Sequence, residues 1–255
     1  MTDEKHAEHL DRMNRFVAKM NAVSRDLTSP YVRPKDAATL ILVDRSGKTP
    51  KVLLGKRHTR HKFMPGRYVF PGGRVDPEDR RMPVARPLHP QAEAQLMKRM
   101  QRPTASKARA FALAAIRETF EETGLLLGVR HDAPVNVPEG PWQQYAAAKF
   151  LPDLGALRFI GRAITPPGRN RRFDARFFTA DASAIAHRVE GVTGPDAELV
   201  ELVWMPLGDA QQLDMPAVTG VMLEELSERI ADGFGHDLPV PLYQHPRGRF
   251  MRETL

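Results

Sequence analysis

No cysteine occurs anywhere in this chain of 255 residues. That absence excludes a disulfide framework, a thiolate metal centre and a cysteine nucleophile. Also missing is an apolar run near the ~20 residues of a membrane helix. The first residues carry Asp3, Glu4, Glu8 and Asp11 rather than a basic and then apolar plan, so no secretory signal is expected there. These absences fit a soluble cytoplasmic protein with no membrane partner. No internal repeat, low-complexity tract or dividing linker is seen. Nor is there a basic tract interleaved with aromatics, the pattern that stacks single-stranded nucleic acid, which argues against a nucleic-acid partner. The nine histidines include no metal-like pair on a helix face.

What is present is an ordinary globular balance, 42% apolar and 27% charged, on a chain long enough for a substantial core. Lysine and arginine number 38 against 31 aspartate and glutamate, a net charge of +7. A basic excess attracts anions. Most of it is arginine, which suits bidentate recognition of phosphate.

Residues 3 to 24 have Leu10, Met13, Phe16, Val17 and Met20 at helical spacing, which predicts an amphipathic helix packed on the core or on a second subunit. A homodimer is therefore one option. With the connector to residue 35, this forms an N-terminal extension. Residues 37–43 and 51–56 predict a β-hairpin around the turn at Asp44 to Lys48. A basic loop and a strand end, Tyr68-Val69-Phe70, lead to Pro71-Gly72-Gly73. Adjacent glycines let a ligand approach the backbone closely. Helices are expected near 91–101, from about 105 to Thr123, at 142–150, and from Gly208 to Ile230 with a break at Pro216. Strands are expected at 125–129, 157–164, 173–179 and 198–205. The tail from residue 231, rich in Pro and Gly, reads as irregular. Tyr68, Phe70 and Trp204 read as core.

The stretch Arg117-Glu118-Thr119-Phe120-Glu121-Glu122-Thr123-Gly124-Leu125 stands out. At roughly 100° per residue, Glu121 and Glu122 fall about 60° and 40° to either side of Glu118. Three carboxylates on one helical turn repel one another. A hard divalent cation would offset that repulsion. Leu113, Ile116 and Phe120 lie opposite and predict the core face. Ala114 and Ala115 flank the acidic side, where low bulk leaves room for a ligand, and Phe111 does not fit that pattern. Gly124 is placed to end the helix.

Gly73, then five residues, then Asp79, and later Arg117-Glu118-x-x-Glu121-Glu122-x-Gly124-Leu125 resembles the Nudix box. The pattern is Gly, five residues, Glu, seven residues, Arg-Glu-aliphatic-x-Glu-Glu-x-Gly-aliphatic. Its second half is matched at every charged and glycine position. Three departures stand out. Asp79 replaces the first Glu, Thr119 replaces an aliphatic residue, and residues 80 to 116 separate the two halves. About 30 residues are thus inserted inside the box, and its geometry survives if they bulge out. A box split this way resembles the peroxisomal coenzyme A diphosphatase branch and its bacterial relatives. Leu53-Leu54-Gly55-Lys56-Arg57 with Phe70-Pro71-Gly72-Gly73, the loop and strand from Thr165 to Phe178, and the segment from Pro195 to Leu207 carry the resemblance further.

The resemblance implies an α/β Nudix fold: a mixed β-sheet sandwiched between helices over residues 36–230, with the insertion at about 80–105. It implies hydrolysis of a nucleoside diphosphate linked to another group, assisted by Mg²⁺ or Mn²⁺. Glu118, Glu121 and Glu122, with the Gly73 carbonyl, would hold the metal. Glu118, Glu121 or Glu198 would take a proton from water. Arg117, Asp79 and Gly124 would be structural. Arg57, Arg67, Arg171 and Arg172 would meet the substrate, a small nucleotide. Coenzyme A or acyl-coenzyme A is the first reading of that substrate. NADH, ADP-ribose or a dinucleoside polyphosphate is the second. A catalytically silent module that binds nucleotide or RNA is the third.

Overall fold

Alternation along one strand sets the layers. In β1 (Lys35–Asp44), Ala38, Leu40 and Leu42 enter one buried cluster, while Ile41 and Val43 enter another. Successive strand residues point to opposite faces, so the sheet is buried on both. The structure is a computed structural model, and it describes residues 11, 13–18, 31–60, 65–213, 215–246 and 250–255.

β1 pairs antiparallel with β2 (Lys51–Arg57), the expected hairpin, and parallel with β8 (Phe173–Asp181). β7 (Arg158–Ile164) lies antiparallel to β8. β10 (Leu199–Pro206) forms an edge against β2. β3 (Tyr68–Val69) pairs with β2, and β4 (Gly72–Arg74) pairs with β1. A smaller sheet combines β5 (Leu125–Arg130), β6 (Phe150–Pro152) and β9 (Ile185–Arg188).

The first cluster lies under α2 (Pro90–Met97), α3 (Ala105–Thr123) and α4 (Pro141–Ala147). The second lies under α5 (Leu207–Ala210) and α6 (Ala217–Ala231). A mixed sheet between two helical layers is the expected α/β arrangement. Among the described residues no helix is long and apolar enough to cross a membrane.

Only residues 11 and 13–18 of the expected N-terminal helix are described; 13–18 are helical (α1), and the rest of that prediction lies outside the described residues. Phe16 is buried in the second cluster, and a Cβ added at Gly220 of α6 would collide with its ring. Gly220 is thus the gap into which α1 docks.

Three expectations need correction. The tail is not irregular. β11 (Pro241–Gln244) runs parallel to β7, and β12 (Met251–Thr254) closes on β11. Val240, Leu242 and Leu255 enter the first cluster and Tyr243 the second. Each strand has four residues, too few to register as alternation, and the partner β7 is remote in sequence.

The insertion does not bulge out. Met82, Leu88, Ala92, Leu96 and Met100 are all buried in the first cluster. The Arg162 guanidinium donates to the Arg99 carbonyl at 3.2 Å, and Arg99 pairs with Glu253 at 2.7 Å. Arg86 pairs with Asp153, and the Ala85 amide donates to the Pro152 carbonyl at 2.9 Å. Prolines and polar residues between the apolar ones hide the packing in the sequence.

Trp204 is not core. It is 36% exposed, because β10 is an edge strand. Phe70 is buried and Tyr68 half-buried.

Candidate active site

Helix α3 carries the acidic turn. Thr104 caps its start, accepting the Lys107 amide at 3.1 Å. Gly124 ends it at φ 74°, with its amide donating to the Phe120 carbonyl at 2.8 Å. A side chain there would be strained and would collide with the Val189 carbonyl. The helix between is almost wholly buried. Ala114 and Ala115, expected beside a ligand, are both in the core, where small side chains let helix and sheet approach. Phe111 is buried under the Arg176 guanidinium, 3.9 Å from its ring centre. Thr119 fits the aliphatic position because its hydroxyl donates to the Ala115 carbonyl at 2.8 Å, so no buried polar atom is left over.

The two halves of the box meet through Arg117. Its Nε donates to Asp79 Oδ1 at 2.8 Å and Nη2 to Oδ2 at 3.2 Å. Nη2 also reaches the Arg74 carbonyl at 2.8 Å, and Asp76 lies 3.6 Å away. Nη1 donates to both Glu118 (2.9 Å) and Glu121 (2.8 Å). Burial works against the Arg117 charge, but the bond to Asp79 and the charges of Asp79 and Glu118 outweigh it and raise the pKa. Asp79 is fully buried. It also accepts the Trp142 indole N–H at 3.1 Å and the Asp76 amide at 2.8 Å. Sequence reading missed Trp142, which lies far along the chain with no local motif. Its one signal is general: a buried indole needs an acceptor.

Gly72 and Gly73 pair with Thr39 and Ala38 on β1, which aims their backbone at α3. A Cβ on Gly73 would collide with the Glu118 carboxyl group. The glycine therefore permits that carboxylate to lie against the strand.

Glu118 is pushed up to about 7, first by burial and further by Glu121 and Asp76, against the pull of Arg117. Glu122 is raised well above the carboxylate range by burial and by the charges of Glu198 and Glu118, while Arg57 and the Gly72 amide oppose the shift. Its Oε2 is buried with no hydrogen-bond partner. Glu121 is the most exposed carboxylate of the turn, at 35%.

Glu198 stands just before β10 and pairs with Arg57 at 2.8 Å. The strand pairing β2–β10 thus brings a carboxylate from the far end of the chain to the acidic turn. Arg67 is half-buried, and its carbonyl accepts the Arg57 amide at 3.0 Å. Arg171 is exposed in the loop before β8. Arg172 is different. It is buried, and its guanidinium donates to the carbonyls of Thr165 (3.0 Å) and Val32 (2.7 Å). This corrects its reading as a substrate contact.

Glu118, Glu121, Glu122 and Gly73 offer hard oxygen ligands with one orphaned buried oxygen, which fits Mg²⁺ or Mn²⁺. Among the described residues, however, no three carboxylate or imidazole groups are preset around an ion. Glu118 and Glu121 are turned onto Arg117 instead.

Comparison with known proteins accords with this geometry. A family model described as the NUDT19 Nudix domain matches residues 34–213. The chain is 30% identical over 178 residues to the acyl-coenzyme A diphosphatase NUDT19 of Gallus gallus, covering 50% of this chain and 47% of that protein. It is 35% identical over 92 residues to the putative nudix hydrolase 7 of Caenorhabditis elegans, covering 36% and 22%. The chain therefore spans about half, or less, of the length of these curated relatives. A crystal structure of a NUDIX hydrolase from Alicyclobacillus acidocaldarius superposes with a TM-score of 0.57 at 29% identity, covering 76% of this chain and 90% of that one. With the domain matched across most of the sequence and a split box closed by Arg117 and Asp79, the chain belongs to the Nudix hydrolase family.

Proposed function

We propose that the protein hydrolyses a nucleoside diphosphate linked to another group, and that coenzyme A or acyl-coenzyme A is its substrate. The products would be 3′,5′-ADP and a 4′-phosphopantetheine. The observation that carries the hydrolytic reading is the convergence of Glu118, Glu122 and Gly73, with an unpartnered buried carboxylate oxygen on Glu122. Buried carboxylates that repel one another call for a cation. Glu118, Glu121, Glu122 and the Gly73 carbonyl would hold Mg²⁺ or Mn²⁺. Such an ion, when bound, screens the diphosphate and acidifies a water.

The chain's own groups do the rest. Glu118 and Glu121, now bonded to Arg117 Nη1, would turn to hold the ion, while the Arg117 bonds to Asp79 and the Arg74 carbonyl keep the helix in place. Glu198 is the carboxylate we assign to take the proton from water. It comes from a different element, Arg57 orients it, and Arg117 does not engage it. Arg67 and Arg171 serve the remaining phosphate of the substrate. The name of the Gallus gallus relative supports coenzyme A over other diphosphates.

The test is product release from coenzyme A, its 3′-dephospho form, NADH, ADP-ribose and diadenosine polyphosphates, with Mg²⁺ or Mn²⁺. Preference for coenzyme A over the 3′-dephospho form is expected. Equal rates on the two would move the substrate to the NADH or ADP-ribose class. No turnover of any diphosphate would leave a silent binding module. Glu121→Gln should lower kcat by roughly two orders of magnitude or more with the fold intact; unaltered activity would sink the metal assignment.

A further inference from the structure

Two departures from the box pattern loosen the same joint. Asp79 is one methylene shorter than the glutamate of that pattern, and residues 80 to 116 replace its short spacer. Both weaken the reach of the first half of the box toward Arg117. Yet Asp79 is fully buried and accepts two bonds from that guanidinium. Another part of the fold must hold it there.

Helix α4 lies against both halves. Its Trp142 and Tyr145 are buried. The Trp142 indole N–H donates to Asp79 Oδ1, the oxygen that also accepts Arg117 Nε. The Asp76 amide donates to Oδ2, which also accepts Arg117 Nη2. The carboxylate is thus fixed by its own turn on one oxygen and by α4 on the other, and it offers Arg117 a two-point seat in one orientation. Tyr145 meets Trp142 edge to face with ring centres 5.5 Å apart, and meets Phe120 in the same way at 5.3 Å. Phe120 stands between Glu118 and Glu121 in the acidic turn. The Tyr145 hydroxyl donates at 2.6 Å to the carbonyl of Leu127, in the strand that follows α3. So α4 grips the first half of the box through Trp142 and the second through Tyr145.

The seat of Arg117 decides where two carboxylates lie, because its Nη1 donates to both Glu118 and Glu121. A guanidinium free to swing would leave both without a fixed starting position.

We propose that Trp142, braced by Tyr145, is a positioning residue for the metal-binding turn, and that Asp79 and Trp142 together take the place of the single glutamate of the box. Trp142 touches neither the ion nor the substrate. It acts through Asp79 and Arg117 on Glu118 and Glu121. The proposal rests on the hydrolytic reading for the assignment of those glutamates to the cation.

The test is titration calorimetry of the full chain with Mg²⁺ and with Mn²⁺, below the unfolding temperature of each variant. Trp142→Phe keeps a buried ring and removes the N–H. It should weaken metal binding about tenfold or more, as loss of an outer-shell partner does. Turnover at limiting Mg²⁺ should fall by a similar factor, with KM for the diphosphate held within about twofold. Leu226→Ala, a core truncation in the second cluster on the opposite helical layer, is the control for lost stability alone and should bind metal as the unaltered chain does. Asp79→Glu added to Trp142→Phe should regain most of the affinity, since the smaller ring leaves room for one more methylene. Unchanged metal affinity in Trp142→Phe, an equal loss in Leu226→Ala, or no recovery in the double variant overturns the proposal. An unaltered chain that binds neither Mg²⁺ nor Mn²⁺ removes the metal assignment and the brace together. Failure of the hydrolytic reading looks different: the unaltered chain binds metal and cleaves no diphosphate, while the affinities of the variants still decide the role of Trp142.

Discussion

At the scale of single residues, Arg117 is the joint of the site. Its buried guanidinium has Asp79 as its fully buried partner. Removing one member of a buried pair leaves an uncompensated charge, so Asp79→Ala should cost about 3–5 kcal/mol in urea unfolding. Trp142→Phe removes a single bond to the same carboxylate and should cost less, about 1.5–3 kcal/mol. A smaller loss for Asp79→Ala than for Trp142→Phe would contradict this ranking. Glu118 gives a pH dependence. Its carboxyl titrates near 7 when folded, against an ordinary value of 4.5. The folded chain then holds the extra proton between those values, so this group's contribution to metal-free stability falls as pH rises from about 4.5 to about 7. A bound cation needs the ionised form. Adding Mg²⁺ should therefore raise Tm more at pH 8 than at pH 5.5, and an equal rise at both would count against Glu118 as a ligand.

At the scale of elements, the insertion is the part most at odds with its sequence. Leu96 of α2 is 2% exposed in the same cluster that supports α3. Leu96→Ala should cost about 2–5 kcal/mol, as for other core truncations. Chemical denaturation would measure it, and a change near zero would mean that the insertion is an appendage. Removing residues 81–103 should accordingly give an unfolded chain rather than a trimmed one. The hairpin and α3 were legible because each has a continuous periodic signal bounded by a turn or a cap. The acidic turn was legible because its residues are adjacent. The insertion, the two tail strands and Trp142 were not, because their partners are distant: β11 depends on β7, and Trp142 depends on Asp79. Arg172 was misread for a related reason. Arginine suits phosphate, but this one faces two carbonyls that only the fold brings near.

At the scale of the whole molecule, both ends of the described chain are tied to the sheet. Phe16 of α1 and Tyr243 of β11 share the second cluster with α6. Gly220→Leu would fill the gap that Phe16 occupies and displace α1. Lower thermal stability with unchanged kcat is the expected outcome, since the acidic turn lies on the opposite helical layer. A loss of kcat with stability unchanged would mean instead that α1 reaches the site.

The contact between Asp79 and Arg117 also has a kinetic side. Residues 80 to 116 form the loop that closes when these two side chains meet. Closing a loop of that length, rather than one of seven residues, costs about 1.5 kcal/mol more in chain entropy. Buried Met82, Leu88, Leu96 and Met100 offset it, at about 1.5–3 kcal/mol each. The box therefore closes most favourably with the insertion packed. In a refolding experiment, Mg²⁺ uptake should therefore lag behind helix formation; uptake simultaneous with helix formation would count against this coupling.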